Sequence, residues 1–225
     1  MIRSTIQLYS AVIADTAAAI LRGPFVWLML IALPIVIGVL SVVLSPLGII
    51  GGFAMGFASV YLYGAYLYAV GQSIESRKAL GIGIVRESMG HHLWDVMHIA
   101  FLHFICSLAF GLGGLPSIVP TMLGIVAFIL FNPWPEVIHS ERTNGAMDIL
   151  VRSFRFMTQN GPEWVIPHLV LVGLGFAVMA TPSSIASSAG LGVGVLLHPV
   201  MVFRGVLYRR LSRDSRRART WRGQF

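Results

Sequence analysis

Long apolar runs alternate with short polar ones in a pattern that repeats three times along the chain. Each repeat opens with a Gly followed by a Trp: Gly23 before Trp27, Gly90 before Trp94 and Gly161 before Trp164. Each turns at a Pro beside a Ser: Ser45–Pro46, Pro116–Ser117 and Pro182–Ser183. Each then returns to a basic segment, at Arg77, Arg142 and Arg209. A helix needs about 20 residues, at about 1.5 Å each, to cross the hydrocarbon of a bilayer. The runs therefore predict six transmembrane helices, at Phe25–Ser45, Gly48–Val70, Asp95–Leu115, Ile118–Val137, Trp164–Thr181 and Ala186–Leu207. Paired by their turns, they make three tandem hairpins in an all-α polytopic membrane protein.

Between the runs the period changes to that of an amphipathic helix. Ala146, Ile149, Leu150, Phe154 and Met157 recur at three- and four-residue steps, with Asp148, Arg152 and Arg155 off the stripe. Asn160–Gly161–Pro162 is expected to end that helix. Ile6, Tyr9, Ile13, Ala17 and Ile20 form a similar stripe that stops at Gly23–Pro24. Leu80 to Met89 is a weaker copy, because Gly81 and Gly83 lower its helix propensity. The unit is thus an interfacial amphipathic helix, a span, an outer turn and a second span. The repeats cover about 4–74, 75–140 and 141–207, giving one membrane domain over 1–207. Residues 208–225 form a basic cytoplasmic tail, expected to be only partly ordered.

Composition supports lipid as the solvent. The chain of 225 residues is 56% hydrophobic and 11% charged, with mean hydropathy +0.80, whereas soluble domains run near 25% charged. The formal net charge of +7 would suggest nucleic acid in a soluble protein. Here the placement of the charges points to a membrane surface. They fall in Arg3–Arg22, Glu75–Asp95, Glu136–Glu163 and Arg204–Arg222, and the predicted outer turns carry none. Basic loops stay cytoplasmic, so both termini are expected inside a bacterial inner membrane. Cys106 is the only cysteine, so no disulfide framework forms within one chain.

Chemistry-bearing residues are few. Trp27, Trp94, Trp134 and Trp164 stand at predicted span ends and read as interface anchors. His98, His168 and His198 lie within spans near the inner surface. Imidazoles facing each other from separate helices can hold a haem or a chlorophyll-type pigment, although each can equally bond a backbone carbonyl. Asp95 and Glu163 are explained as acids in the first turn of a helix. Glu136, in Asn132–Pro133–Trp134–Pro135–Glu136, could pair with an Arg. Gly52-x-x-x-Gly56 and Gly190-x-x-x-Gly194 read as close helix packing within the chain. Arg209, Arg210, Arg213, Arg216 and Arg217 are placed to touch anionic headgroups or a partner. No Gly-x-Ser-x-Gly, His-Glu-x-x-His or phosphate-loop motif occurs.

Glu141–Arg142–Thr143–Asn144–Gly145–Ala146, followed by Val151–Arg152–Ser153 and Asn160, resembles a helix found in one known group of membrane domains. The group is the membrane domain attached to some glycerophosphoryl diester phosphodiesterases, together with related bacterial integral membrane proteins. Its Ala…(Lys/Arg)-Ser helix precedes a hairpin. Pro199 and then Val206–Leu207–Tyr208–Arg209 are similar to its closing pattern, and Val85–Arg86–Glu87–Ser88 is a degenerate copy of the motif. The resemblance implies six helices with interfacial helices. It implies no phosphodiesterase activity, because in those enzymes the catalytic barrel is a separate soluble domain. The expected role is a non-enzymatic scaffold or accessory subunit touching lipid or a membrane complex. The alternatives are a small-solute transporter or channel with Ser183–Ser188 at its outer mouth, or a redox or pigment subunit built on the histidines.

Overall fold

The computed structural model describes the backbone of residues 2–76, 78–113, 118–179 and 183–213, with side chains for these apart from 2–4, 112, 170–172, 174–179 and 183–196. Its regular structure is entirely helical. In order the helices are α1 (Ile2–Arg22), α2 (Pro24–Leu44), α3 (Gly48–Glu75), α4 (Gly83–Ser88) and α5 (Leu93–Leu112), then α6 (Ile118–Phe131), α7 (Trp134–Ser140), α8 (Ala146–Met179) and α9 (Ser183–Arg213). Among the described residues three stretches are long and apolar enough to cross a membrane: Pro24–Glu75, Leu93–Gly111 and Ile118–Ser140. The first is 52 residues long and doubles back at Ser45–Leu47, so that α2 and α3 lie side by side. Pro46 has no N–H for the Val42 carbonyl, and the Ser45 hydroxyl supplies a donor at 3.1 Å. Gly48 takes φ 54° at the turn, a conformation that glycine adopts at little cost.

The break between α1 and α2 falls at the expected Gly23–Pro24, with Pro24 at the first helical position. The second interfacial helix shrinks to the six residues of α4, consistent with its glycines. The third expectation is corrected. Asn160–Gly161–Pro162 does not stop the helix, and α8 runs unbroken over 34 residues with Pro162 and Pro167 inside it. A proline removes one N–H, and a helix survives when the freed carbonyl finds another donor. For Pro167 that carbonyl belongs to Glu163. It accepts the Tyr9 hydroxyl of α1 at 2.7 Å. Glu163 is consequently mid-helix, and a helix N-terminus does not explain it.

Packing concentrates at one end of the bundle. Val12, Ala19, Val26, Ala65, Tyr66, Leu67, Val70, Val137, Ile138, Ile149, Trp164, Val202 and Leu207 are buried together. By contrast Val42, Ile49, Ile50, Phe53, Met122 and Phe128 are exposed. These large apolar side chains crowd the far ends and faces of the apolar helices, as expected where hydrocarbon takes the place of water. Among the described residues α5 packs mainly on α3 and α6 on α8, while α8 also packs on α9. The turns at Pro116–Ser117 and Pro182 lie outside the described residues.

α1 does not use the expected stripe alone. Val12, Thr16 and Ala19 face the core, whereas Ile6 and Ile13 are exposed. The helix thus packs on α9 by one face and leaves isoleucines exposed on another. α9 extends to Arg213, with Tyr208 and Leu211 buried, so the chain is ordered helix for six residues beyond the expected end at Leu207.

Candidate functional site

The packed end holds a buried polar network. Pro133 and Pro135 frame the junction of α6 and α7, and Val137 N–H donates to the Pro133 carbonyl at 3.0 Å, turning α7 inward. This carries Glu136 to 0% exposure. Arg204 of α9 meets it at two points: Nε is 2.7 Å from Oε1, and a terminal nitrogen donates to Oε2 at 2.9 Å. The same terminal nitrogen donates to the Asn132 carbonyl at 2.8 Å. The Asn132 side-chain oxygen accepts the Trp164 indole N–H at 3.2 Å. The Arg204 guanidinium lies 5.6 Å over the Trp164 ring, within the range of a cation–π contact. Phe156 meets Trp164 edge-on at 5.1 Å and Tyr208 at 4.4 Å.

A second set extends the network. Tyr208 donates its hydroxyl to Glu141, and Arg152 reaches Glu141 and Asp148 at 2.7 Å each. Asp148 also accepts the Asn144 backbone N–H at 3.1 Å, fastening the loop before α8. The hydrogen bond from Arg152 holds the Asp148 carboxyl below its usual range, and its two carboxylates raise Arg152 in turn. Thr143 donates to Asp95 at 2.7 Å, with His92 3.6 Å from the other oxygen. Burial lowers the His92 pKa, and Asp95 opposes that shift. Burial, then the Glu163 carboxylate, pushes the Tyr9 phenol up and so keeps it a donor.

The expected cofactor histidines each have their own neighbours. His198 is buried, with Nδ1 3.2 Å from the Tyr66 hydroxyl and its ring 6.1 Å from Trp27. His168 Nδ1 lies 2.6 Å from the Trp164 carbonyl. His98 is exposed and borders Gly145. Among the described residues no three His, Cys, Asp or Glu side chains lie close enough together to hold a metal ion. The Nε2 atoms of His168 and His198 are buried without a hydrogen-bond partner.

The four tryptophans divide. Trp94 is 67% exposed and Trp27 and Trp134 are partly buried, but Trp164 is 1% exposed. Trp164 is therefore a core residue rather than an interface anchor, because its indole N–H bonds Asn132 inside the protein. Among the described residues nothing lies within 4 Å of a Cβ placed on Gly52 or Gly56, so the close packing expected there is not seen among them. The close approaches occur at Gly64 against His91, and at Gly71 and Gly205 against His139. No pattern in the sequence singles out His139. Neither Arg209 nor Arg210 is free. Arg209 donates to the Ile74 carbonyl at 3.3 Å and Arg210 pairs with Asp15. Arg216 and Arg217, and the side chains of Ser183–Ser188 and Gly190–Gly194, lie outside the described residues.

Comparison of the chain with family models, curated proteins and solved structures finds no match.

Proposed function

We propose that the chain is a non-enzymatic, six-span protein of a bacterial inner membrane, with both termini cytoplasmic. In this reading it is a scaffold or accessory subunit that binds lipid or a membrane complex, akin to the membrane domain it resembles. One observation carries the reading. Three carboxylates of the buried network are committed to partners within it: Glu136 to Arg204, Glu141 to Tyr208 and Arg152, and Asp148 to Arg152. A catalytic acid or base must instead face a substrate within hydrogen-bond reach. Buried networks of this kind fix one arrangement of helices. The test is purification of the tagged chain from native membranes by two extraction methods. A companion protein or an enriched lipid in constant ratio is expected. A lone chain with no enriched lipid refutes the role, and a reporter placing residue 225 outside refutes the six spans.

A second reading rests on the Nε2 atoms of His168 and His198, each buried and without a partner. Each could ligate the iron of a haem or the magnesium of a chlorin. An absorbance spectrum of the purified protein without a Soret or chlorin band removes this reading.

A further inference from the structure

The carboxyl ends of α1, α3 and α9 converge around a cavity of about 640 Å³. Asp15 and Arg22 line it from α1, Glu75 from α3, and Arg209, Arg210 and Arg213 from α9. Four guanidinium groups therefore face two carboxylates. Arginines at helix carboxyl ends complement the helix dipole, and this accounts for part of the set. Arg209 bonds the Ile74 carbonyl at 3.3 Å and stands 3.9 Å from Glu75. Arg210 makes a two-nitrogen contact with Asp15. Two cations remain. Arg22 Nε is buried with no hydrogen-bond acceptor, and Arg213, exposed at the rim, has no carboxylate partner among the described residues. Four guanidinium groups against two carboxylates leave the lining with two cations in excess, which an anion entering the cavity would offset.

We propose that this cavity binds a phosphate group through Arg22 and Arg213, either that of an anionic lipid headgroup or that of a free phosphate ester. The chemistry is shared, since guanidinium forks match phosphate oxygens. Val206 and Ile74 on the wall add apolar surface that would meet the upper part of a lipid's acyl chains. The proposal names the ligand class behind the lipid-binding reading above and rests on the cytoplasmic placement of these helix ends.

The experiment uses the full chain in neutral detergent. Retention of phosphatidylglycerol against phosphatidylcholine is read by native mass spectrometry, and a parallel arm adds inorganic phosphate and follows the melting temperature. The pocket variant is Arg22→Gln/Arg213→Gln. The control is Arg86→Gln/Arg142→Gln, two exposed arginines outside the cavity, with the same change in net charge. The pocket pair is expected to weaken phosphatidylglycerol binding about tenfold or more, and the control pair less than about twofold. Inorganic phosphate that stabilises the wild type and displaces phosphatidylglycerol, with the same dependence on Arg22 and Arg213, also supports the site and assigns it to a soluble ester. No preference for either phosphate source overturns the proposal. So does an equal loss in both variant pairs, which would mean plain surface potential. Should the double variant not fold, Arg213→Gln alone carries the comparison. These readings use the purified chain, so they stand or fall apart from co-purification of a partner.

Discussion

Replacing Arg204 by Met tests the buried network most sharply. The substitution removes both contacts to Glu136 and leaves a fully buried carboxylate without a cation. Breaking a buried pair from one side costs about 3–5 kcal/mol. The Asn132 carbonyl also loses its 2.8 Å donor, adding about 1 kcal/mol. Against a typical total stability of about 5–15 kcal/mol, the variant should lose about a third or more of what holds it folded. Glu136→Gln is expected to cost less, about 1–3 kcal/mol, because Arg204 is 14% exposed and keeps the Asn132 carbonyl as a partner. Glu136→Leu/Arg204→Met removes both charges and should recover much of the loss, since apolar replacement of a buried pair is often near neutral. The double-mutant cycle with Glu136→Leu as the other single should then show a coupling of at least about 2 kcal/mol. Unfolding by denaturant in maltoside micelles, followed by tryptophan emission, reads these differences, and Trp164 lies in the network itself. Additive effects, or an Arg204→Met loss below about 1 kcal/mol, would refute the network as a structural lock.

The Tyr9 hydroxyl stands in for the N–H that Pro167 lacks. Tyr9→Phe should cost about 1 kcal/mol in the wild type and markedly less in a Pro167→Ala background, where the restored amide serves the Glu163 carbonyl, as measured by the same unfolding assay. A Cβ on Gly64 would lie 2.9 Å from the His91 carbonyl oxygen, whereas one on Gly56 meets nothing. Gly64→Ala should therefore destabilise by about 1–3 kcal/mol, and Gly56→Ala should stabilise by about 0.5–1 kcal/mol. The His92 pKa lies below its ordinary 6.5 in the fold. Below that pH the unfolded chain takes up a proton that the folded chain resists, so stability falls as pH falls through 6.5 and levels off below the folded value. His92→Asn, which tolerates the φ of 55°, should flatten that part of a stability–pH curve.

What could be read from the sequence was what depends on neighbours along the chain. The helical class, the apolar stretches and the break at Gly23–Pro24 follow from composition and from Pro at a first helical position. Neither the break expected at Asn160–Gly161–Pro162 nor one at Pro167 occurs, and at Pro167 the reason lies outside the local sequence. The carbonyl freed by Pro167 is satisfied from Tyr9, 154 residues earlier. Glu136 invited an arginine partner, but Arg204 is 68 residues away, near the end of the sixth expected span, and no local pattern pairs the two. Trp164 carried the same Gly-then-Trp signature as Trp27 and Trp94, and only its contact with Asn132 distinguishes a core residue from a belt residue. His139 had no signal at all, because the glycines that press on it, Gly71 and Gly205, come from two other helices.

α1 is clasped by parts of the chain that are made after it. The Leu80 N–H holds the Arg22 carbonyl, Glu163 receives the Tyr9 hydroxyl, and Arg210 grips Asp15. During synthesis α1 must therefore wait for its partners until α8 and α9 have been made. Nascent chains halted before residue 163 would keep that segment unlatched, a mark by which a membrane protease could tell an unfinished molecule from a completed one.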